Sequence, residues 1–165
     1  MKVVRWRGAL LATAFSFMVL GAACAPSEPS RYEQAQEQTQ GGSAVAQDAV
    51  PGSRFNQFFP RSVSGYEIVP SQEKQGFAEY KVNQNGQTVA MLAINDTTGT
   101  GAADKFQSSS MTIAGYPAVE QGQNATAILV NDRFQVKVLS RDSSFTKEDR
   151  ADWIGKFDLQ GLSGL

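Results

Sequence analysis

Apolar and polar positions divide the chain of 165 residues into three parts. Residues 8–23 are apolar except for Thr13 and Ser16, and residues 24–53 carry three prolines, five glutamines and almost no large apolar side chain. Residues 54–165 hold eight of the ten phenylalanines. Because about 110 residues suit a single hydrophobic core, we predict one folded domain over residues 54–165.

The clearest local pattern in the domain predicts a β-hairpin. Asn85 and Gly86 suit a two-residue type I′ turn, since both central residues of that turn need a positive φ. A turn of that length would place Val82 opposite Val89 across the hairpin. Residues 88–94 are apolar on both faces of the predicted strand, which indicates a central position in a sheet.

A second hairpin is predicted from the alternation on either side of Asn131 and Asp132. A two-residue turn at this pair would place Leu129 opposite Phe134 and keep the apolar residues of both strands on one face. A further strand is predicted over residues 111–119, and we expect it to pair nearby.

Three phenylalanines open the domain at helical spacing. Phe55, Phe58 and Phe59 stand at i, i+3 and i+4, which places them on one face of a short helix that ends at Pro60. This face would either pack the helix onto the sheet or form a hydrophobic interaction patch for a partner or a lipid. The three phenylalanines are therefore a candidate interaction site.

Two further helices complete the expected order of elements. A short helix is predicted over residues 102–107, and a carboxyl-terminal helix follows Thr146, with Glu148 and Asp149 in its first turn. With a strand before the first hairpin, the order is helix, three strands, short helix, three strands, helix. We predict an α+β domain with an antiparallel sheet of about five to six strands and the two terminal helices packed on one face.

The amino-terminal residues are typical of a secretory signal peptide. Lys2, Arg5 and Arg7 precede an apolar core of about 15 residues, which small residues follow. Roughly 20 residues are needed to cross a bilayer as a helix, so a permanent transmembrane anchor is the less favoured alternative. We expect residues 1–23 to be removed on export.

The end of this segment reads Leu20-Gly21-Ala22-Ala23-Cys24. It resembles the lipobox of bacterial lipoproteins, although Gly21 stands where that family usually has leucine. The resemblance implies that Cys24 receives a diacylglycerol, that the new amine receives an acyl chain, and that the protein is anchored on the periplasmic or outer face of a bacterial envelope membrane. Cys24 is the only cysteine, so it has no partner within the chain. Cleavage after Ala23 by ordinary signal peptidase is the alternative.

Charge and composition narrow the choice of partners. Removal of the signal takes three of the fifteen basic residues, which leaves twelve against sixteen acidic residues and a net charge of about −4. Nucleic acid binds chiefly through lysine and arginine, so we expect no nucleic-acid partner.

Residues 24–53 lack the apolar surface needed to fold and are predicted to be a disordered spacer. We expect a monomer that is held at the membrane through Cys24.

The available residue types limit the chemistry. The chain contains no histidine and only one cysteine, which excludes Cys-His and Ser-His-Asp nucleophile systems and zinc sites built from these residues. An enzyme that uses carboxylates or a metal would need Asp96, Asp104 or Asp132 to converge in a pocket. We therefore predict no catalytic residue, no metal site and no cofactor.

These observations favour a non-enzymatic cell-envelope lipoprotein that binds or scaffolds an unknown partner. The alternatives are a carrier that holds a small apolar ligand between sheet and helices, and a carboxylate- or metal-dependent enzyme. The element order is loosely similar to that of small α+β envelope domains such as the lipoproteins related to the photosystem PsbP family. That similarity implies the fold class only, and no residue role follows from it.

Overall fold

A computed structural model describes residues 48–165, which form one seven-stranded sheet with short helices. The strands, in chain order from β1 to β7, are Glu67–Lys74, Phe77–Gln84, Gln87–Asp96, Met111–Ile113, Tyr116–Gln121, Ala125–Val130 and Phe134–Ser140. They lie in the order β1-β2-β3-β7-β6-β5-β4, and every neighbouring pair is antiparallel. β3 and β7 are therefore central, and β1 and β4 form the edges.

The helical segments are short. A 3₁₀-helix, Gly52–Phe58, precedes β1, and a second one, Gly101–Ala103, continues into α1, Asp104–Gln107. Two helices follow β7, namely α2, Lys147–Ile154, and α3, Leu159–Ser163. The predicted α+β class and the antiparallel sheet are confirmed. Within the described residues, no helix is long and apolar enough to cross a membrane.

The sheet has seven strands, so the predicted number of five to six is wrong. The single strand expected over residues 111–119 is instead the hairpin of β4 and β5, which turns at Ala114 and Gly115. Both turn residues have a positive φ, 53° for Ala114 and 85° for Gly115. Glycine adopts a positive φ readily, but alanine does so rarely. Of the two turn residues, only Gly115 therefore indicates a turn in the sequence.

The first predicted hairpin forms, but its register differs by one residue. Asn85 and Gly86 have the expected positive φ values, 50° and 79°. A shift in register beyond the turn then places Val82 opposite Ala90 rather than Val89. The extra residue in β3 is a bulge, and it moves Ala90 to the face of Val82. The central position predicted for this strand is confirmed, since β3 lies between β2 and β7.

The second predicted hairpin also forms with a shifted register. Phe134 pairs with Val130 rather than with Leu129, because three residues instead of two connect the strands. Asn131 and Asp132 both have a positive φ, 52° and 51°. Because side chains alternate along a strand, Leu129 and Phe134 lie on opposite faces of the sheet, contrary to the prediction.

The main core lies on one face of the sheet, under Gly52–Phe58, α2 and α3. Phe55 is fully buried and meets the Phe134 ring edge-on, with 5.8 Å between the ring centroids. The Phe59 ring stacks on Tyr80 with a centroid distance of 4.2 Å. Helical segments from both ends of the domain thus share one core with the sheet.

The short helix α1 covers part of the opposite face. Its Phe106 packs against Ala127 and Leu129 of β6, in a cluster separate from the main core. Ile128 and Val130 alternate with these residues along β6 and belong to the main core. All six residues of β6 are consequently buried.

The folded region begins earlier than the predicted boundary at residue 54. Ala49 is only 3% exposed. The Val50 carbonyl oxygen accepts a hydrogen bond from the Gly76 N–H at 2.8 Å. Composition does not reveal such backbone pairing, so the predicted spacer extends too far, and residues 49–53 pack on the domain.

Replacement of Phe55 by alanine should lower the free energy of unfolding by about 3–5 kcal/mol, because the buried ring would leave a cavity against Phe134. Denaturant unfolding followed by circular dichroism measures the change. The matched control is Gln57→Ala in the same 3₁₀-helix, which should alter stability by less than about 0.5 kcal/mol because Gln57 is exposed. A loss below about 1 kcal/mol for Phe55→Ala would contradict a core position for this ring.

Candidate functional site

A cleft of about 640 Å³ opens at one end of the sheet. Its walls are the β5–β6 turn over residues 122–124 and the β7–α2 connection over residues 141–146. Charged and hydroxyl side chains line it, including Glu120, Ser140, Arg141, Thr146, Lys147 and Arg150. These groups offer several hydrogen-bond donors and acceptors to a ligand.

Arg150 lines the cleft, although it is only 4% exposed. Its Nε donates to the Thr126 hydroxyl at 2.8 Å, and its Nη1 donates to the Ser140 hydroxyl at 2.9 Å. Its Nη2 lies 3.0 Å from a Glu120 carboxylate oxygen and 3.4 Å from the Gln123 carbonyl oxygen. A guanidinium has five N–H groups, so one Nη1 hydrogen has no protein acceptor among residues 48–165.

The start of α2 positions Arg150. The Thr146 hydroxyl accepts a hydrogen bond from the Asp149 N–H at 3.2 Å, and the Thr146 N–H donates to the Asp149 carboxylate at 2.8 Å. This capping box confirms the predicted start of the carboxyl-terminal helix. Trp153 and Ile154 follow Arg150 by three and four residues and are buried in the core. Residues three and four apart lie on the same face of a helix, so the Arg150 side chain also faces the sheet.

The sequence reasoning missed Arg150. A usable signal was its position four residues before Ile154, on the apolar side of the predicted helix, because arginine is almost never buried without a partner. The partners themselves were hidden, since Glu120, Thr126 and Ser140 belong to three different strands. Only the correct register brings those three side chains to one place.

The opposite end of the sheet holds a second buried polar group, Asp96, which was a candidate catalytic carboxylate. Arg133 binds both carboxylate oxygens, with Nε 3.1 Å from Oδ1 and Nη2 2.8 Å from Oδ2. The Val50 N–H donates to Oδ2 at 2.8 Å. Thr98 donates to Oδ1 through its N–H at 3.0 Å and its hydroxyl at 2.7 Å. Asp96 thus joins the amino-terminal segment to β3 and to the β6–β7 turn.

Those contacts keep Asp96 ionised. Burial alone would raise the pKa of this carboxyl group, but the hydrogen bonds from Arg133, Val50 and Thr98 outweigh burial and hold the pKa at about 2. The hydrogen bond to Asp96 in turn raises the pKa of the Arg133 guanidinium. All five donors come from the protein, so the carboxylate acts as a structural anion.

Asp104 and Asp132, the other two candidate carboxylates, are exposed, unlike Asp96. Asp104 begins α1, and Asp132 lies in the β6–β7 turn. Among residues 48–165, no group of three histidine, cysteine, aspartate or glutamate side chains could hold a metal ion. The three candidate carboxylates are therefore not gathered into a metal-binding group.

The candidate interaction patch lies inside the domain. Phe55, Phe58 and Phe59 are 0%, 5% and 4% exposed and belong to the main core. They present little surface to a partner or a lipid. Cys24, the predicted lipid-attachment residue, lies outside the described residues, as do residues 1–23.

No known protein family, curated protein or solved structure matches this chain. The roles of its residues therefore rest on geometry.

The polar clusters around Arg150 and Asp96 lie at opposite ends of the central strands. Asp96 is opposite Phe134, whereas Ser140 beside the cleft is opposite Ala90. With a rise of about 3.3 Å per residue, these two ends are roughly 20 Å apart.

Asp96→Asn should remove a pH-dependent contribution to stability. The pKa of about 2 lies below the ordinary value of 3.8, so the ionised carboxylate stabilises the folded state at higher pH. This contribution, about 2 kcal/mol, is complete above about pH 4 and is lost as the pH falls towards 2. Denaturant unfolding at a series of pH values measures it, and the wild type should lose more stability in acid than Asp96→Asn does.

The control for this experiment is Asp132→Asn, which changes an exposed carboxylate next to Arg133. It should keep the acid loss of the wild type. Parallel acid profiles for the wild type and Asp96→Asn would contradict the role of Asp96.

Proposed function

We propose that this chain is a non-enzymatic cell-envelope lipoprotein whose domain binds a partner or ligand through the cleft at Arg150. The amino-terminal pattern and Cys24 support export and a lipid anchor on the periplasmic or outer face of a bacterial envelope membrane. The observation that carries the binding role is the cleft itself, where a nearly unexposed guanidinium keeps one N–H without an acceptor among residues 48–165.

The position of the cleft supports a tethered binding domain. Val50, at the start of the domain, is hydrogen-bonded to Asp96 at the end of β3. Arg150 is hydrogen-bonded to Ser140 at the end of β7. Because β7 is antiparallel to β3, these two strands end at opposite ends of the sheet. A domain tethered through Cys24 would hold the cleft on the side away from its point of attachment, where a partner has access.

A carrier of an apolar ligand has less support. Aromatic rings meet between the sheet and the helices, with centroid distances of 5.3 Å for Phe59 and Phe157 and 5.1 Å for Tyr66 and Trp153. The cleft has one large apolar side chain in its lining, Phe145. These features favour a polar ligand.

The anchor is tested by metabolic labelling with a clickable fatty acid in a bacterial host. The wild type should be labelled and should fractionate with membranes, and Cys24→Ser should lose both properties, because the thiol is the attachment point. The matched variant Gly21→Leu restores the usual lipobox residue and should be labelled at least as strongly as the wild type. Unchanged labelling and membrane fractionation of Cys24→Ser would rule out the lipoprotein.

A further inference from the structure

We propose that the cleft binds an oxyanion, a carboxylate or phosphate group of its ligand, between Arg150, Lys147 and Arg141. This inference rests on the proposed binding role and gives the chemistry of the ligand. The oxyanion would accept a hydrogen bond from the remaining Nη1 hydrogen of Arg150, and it would lie beside the two cationic side chains of the lining.

Among residues 48–165, the charges of the lining leave one positive charge without a counterion. Arg141, Lys147 and Arg150 stand against Glu120 and Asp142, three cations against two anions. The residual charge therefore favours an anionic ligand.

Both carboxylates in the lining already have protein donors. Glu120 accepts hydrogen bonds from Arg150 and from the Thr126 hydroxyl. One Asp142 oxygen accepts from the Ser144 N–H at 2.8 Å and from its hydroxyl at 2.6 Å. Each of the two carboxylates is therefore already hydrogen-bonded within the protein.

Lys147 and Arg141, the two exposed cations of the lining, form few contacts with other charged groups among residues 48–165. The Lys147 ammonium lies 3.6 Å from Glu120, beyond the usual hydrogen-bond distance, and its side chain is 56% exposed. Arg141 forms no ion pair with any residue in the range 48–165. Arg141 and Lys147 can therefore turn towards a ligand with the loss of no more than the long ion pair between Lys147 and Glu120.

The guanidinium of Arg150 is held in place before any ligand arrives. Its contacts to Thr126, Ser140 and Glu120 fix the plane of the group and restrict its rotamers. A fixed donor loses little conformational entropy on binding, which favours affinity. Its burial also limits the competition of water for the remaining N–H.

The test is titration of the ¹⁵N-labelled full chain with sodium phosphate and, separately, with sodium acetate, at constant ionic strength. We expect saturable NMR shifts at Arg150 Nε and at the backbone amides of residues 122–124 and 141–147. Lys147→Ala should weaken the affinity roughly fivefold, since an exposed charge makes a modest contribution. The control Lys156→Ala removes an exposed lysine that does not line the cleft and should leave the affinity unchanged.

Three results would overturn the oxyanion site. These are shifts that do not saturate with either anion, shifts that spread evenly over lysines outside the cleft, and equal weakening by Lys147→Ala and Lys156→Ala. Arg150→Ala is avoided as the main test because it removes the buried ion pair with Glu120 together with the hydrogen bonds to Thr126 and Ser140, and so threatens folding. Arg141→Ala serves as the second variant and should also weaken binding.

A second arm identifies the source of the anion. With the Cys24→Ser chain, which carries no lipid anchor, binding to phosphatidylglycerol vesicles, but not to phosphatidylcholine vesicles, that Lys147→Ala abolishes would assign the site to a lipid phosphate. Saturable binding of the free anion without vesicle binding would assign it to a soluble ligand. Absence of both would overturn the proposal.

The same titration on Cys24→Ser separates this inference from the proposed function. Anion binding by a chain that proves not to be lipidated would leave the site standing and reject the anchor. Lipidation of the wild type, together with no binding of anion or vesicle by Cys24→Ser, would reject the site and leave the anchor standing.

Discussion

The register of the central strands is the constraint on which the rest of the structure depends. Side chains alternate between the two faces, so a shift of one residue would exchange the core face for the outer face. The bulge in β3 places Ala90, Leu92 and Ile94 on the core face, where Leu92 is opposite Val138 and Ile94 is opposite Val136. All five residues are fully buried. The helical segments pack on this continuous apolar surface.

The same alternation explains why α2 packs through a polar contact at one end and an apolar contact at the other. Thr126 and Ser140 lie on the core face at the end of the sheet, where their hydroxyls accept hydrogen bonds from Arg150. Further along the helix, Trp153 and Ile154 meet the apolar part of that face. Desolvation of a guanidinium costs free energy, and here hydrogen bonds to Glu120 and the two hydroxyls offset that cost.

The sequence predicted features that depend on local chemistry. The turn at Asn85 and Gly86 and the cap at Thr146 are examples, because each needs only neighbouring residues. A bulge or a three-residue turn changes the register without a comparably strong residue preference, so both hairpins were predicted one residue out of register. The turn at Ala114 was missed because alanine rarely takes a positive φ.

Site residues were harder to predict because their partners are distant in the chain. Asp96 was singled out as a candidate catalytic or metal-binding carboxylate, and its structural role was hidden because its hydrogen bonds to Val50 and Arg133 span 46 and 37 residues. Arg150 reaches Glu120 across 30 residues. A charge pattern alone cannot show how many hydrogen bonds a carboxylate accepts from the protein. The number of those hydrogen bonds decides whether the carboxylate is structural or available to a ligand.

The two arginine–carboxylate pairs differ in which partner is buried. In the pair of Arg133 and Asp96, the Asp96 side chain is 0% exposed and the Arg133 side chain 34%, so protein donors have closed around the anion. In the pair of Arg150 and Glu120, the Arg150 side chain is 4% exposed and the Glu120 side chain 25%. A buried anion with five donors has no need of a ligand, whereas a buried cation with an N–H that has no acceptor among residues 48–165, beside further cations, is what the proposed oxyanion site requires. The same type of ion pair thus fastens the fold at one end of the sheet and holds the guanidinium of the proposed site at the other.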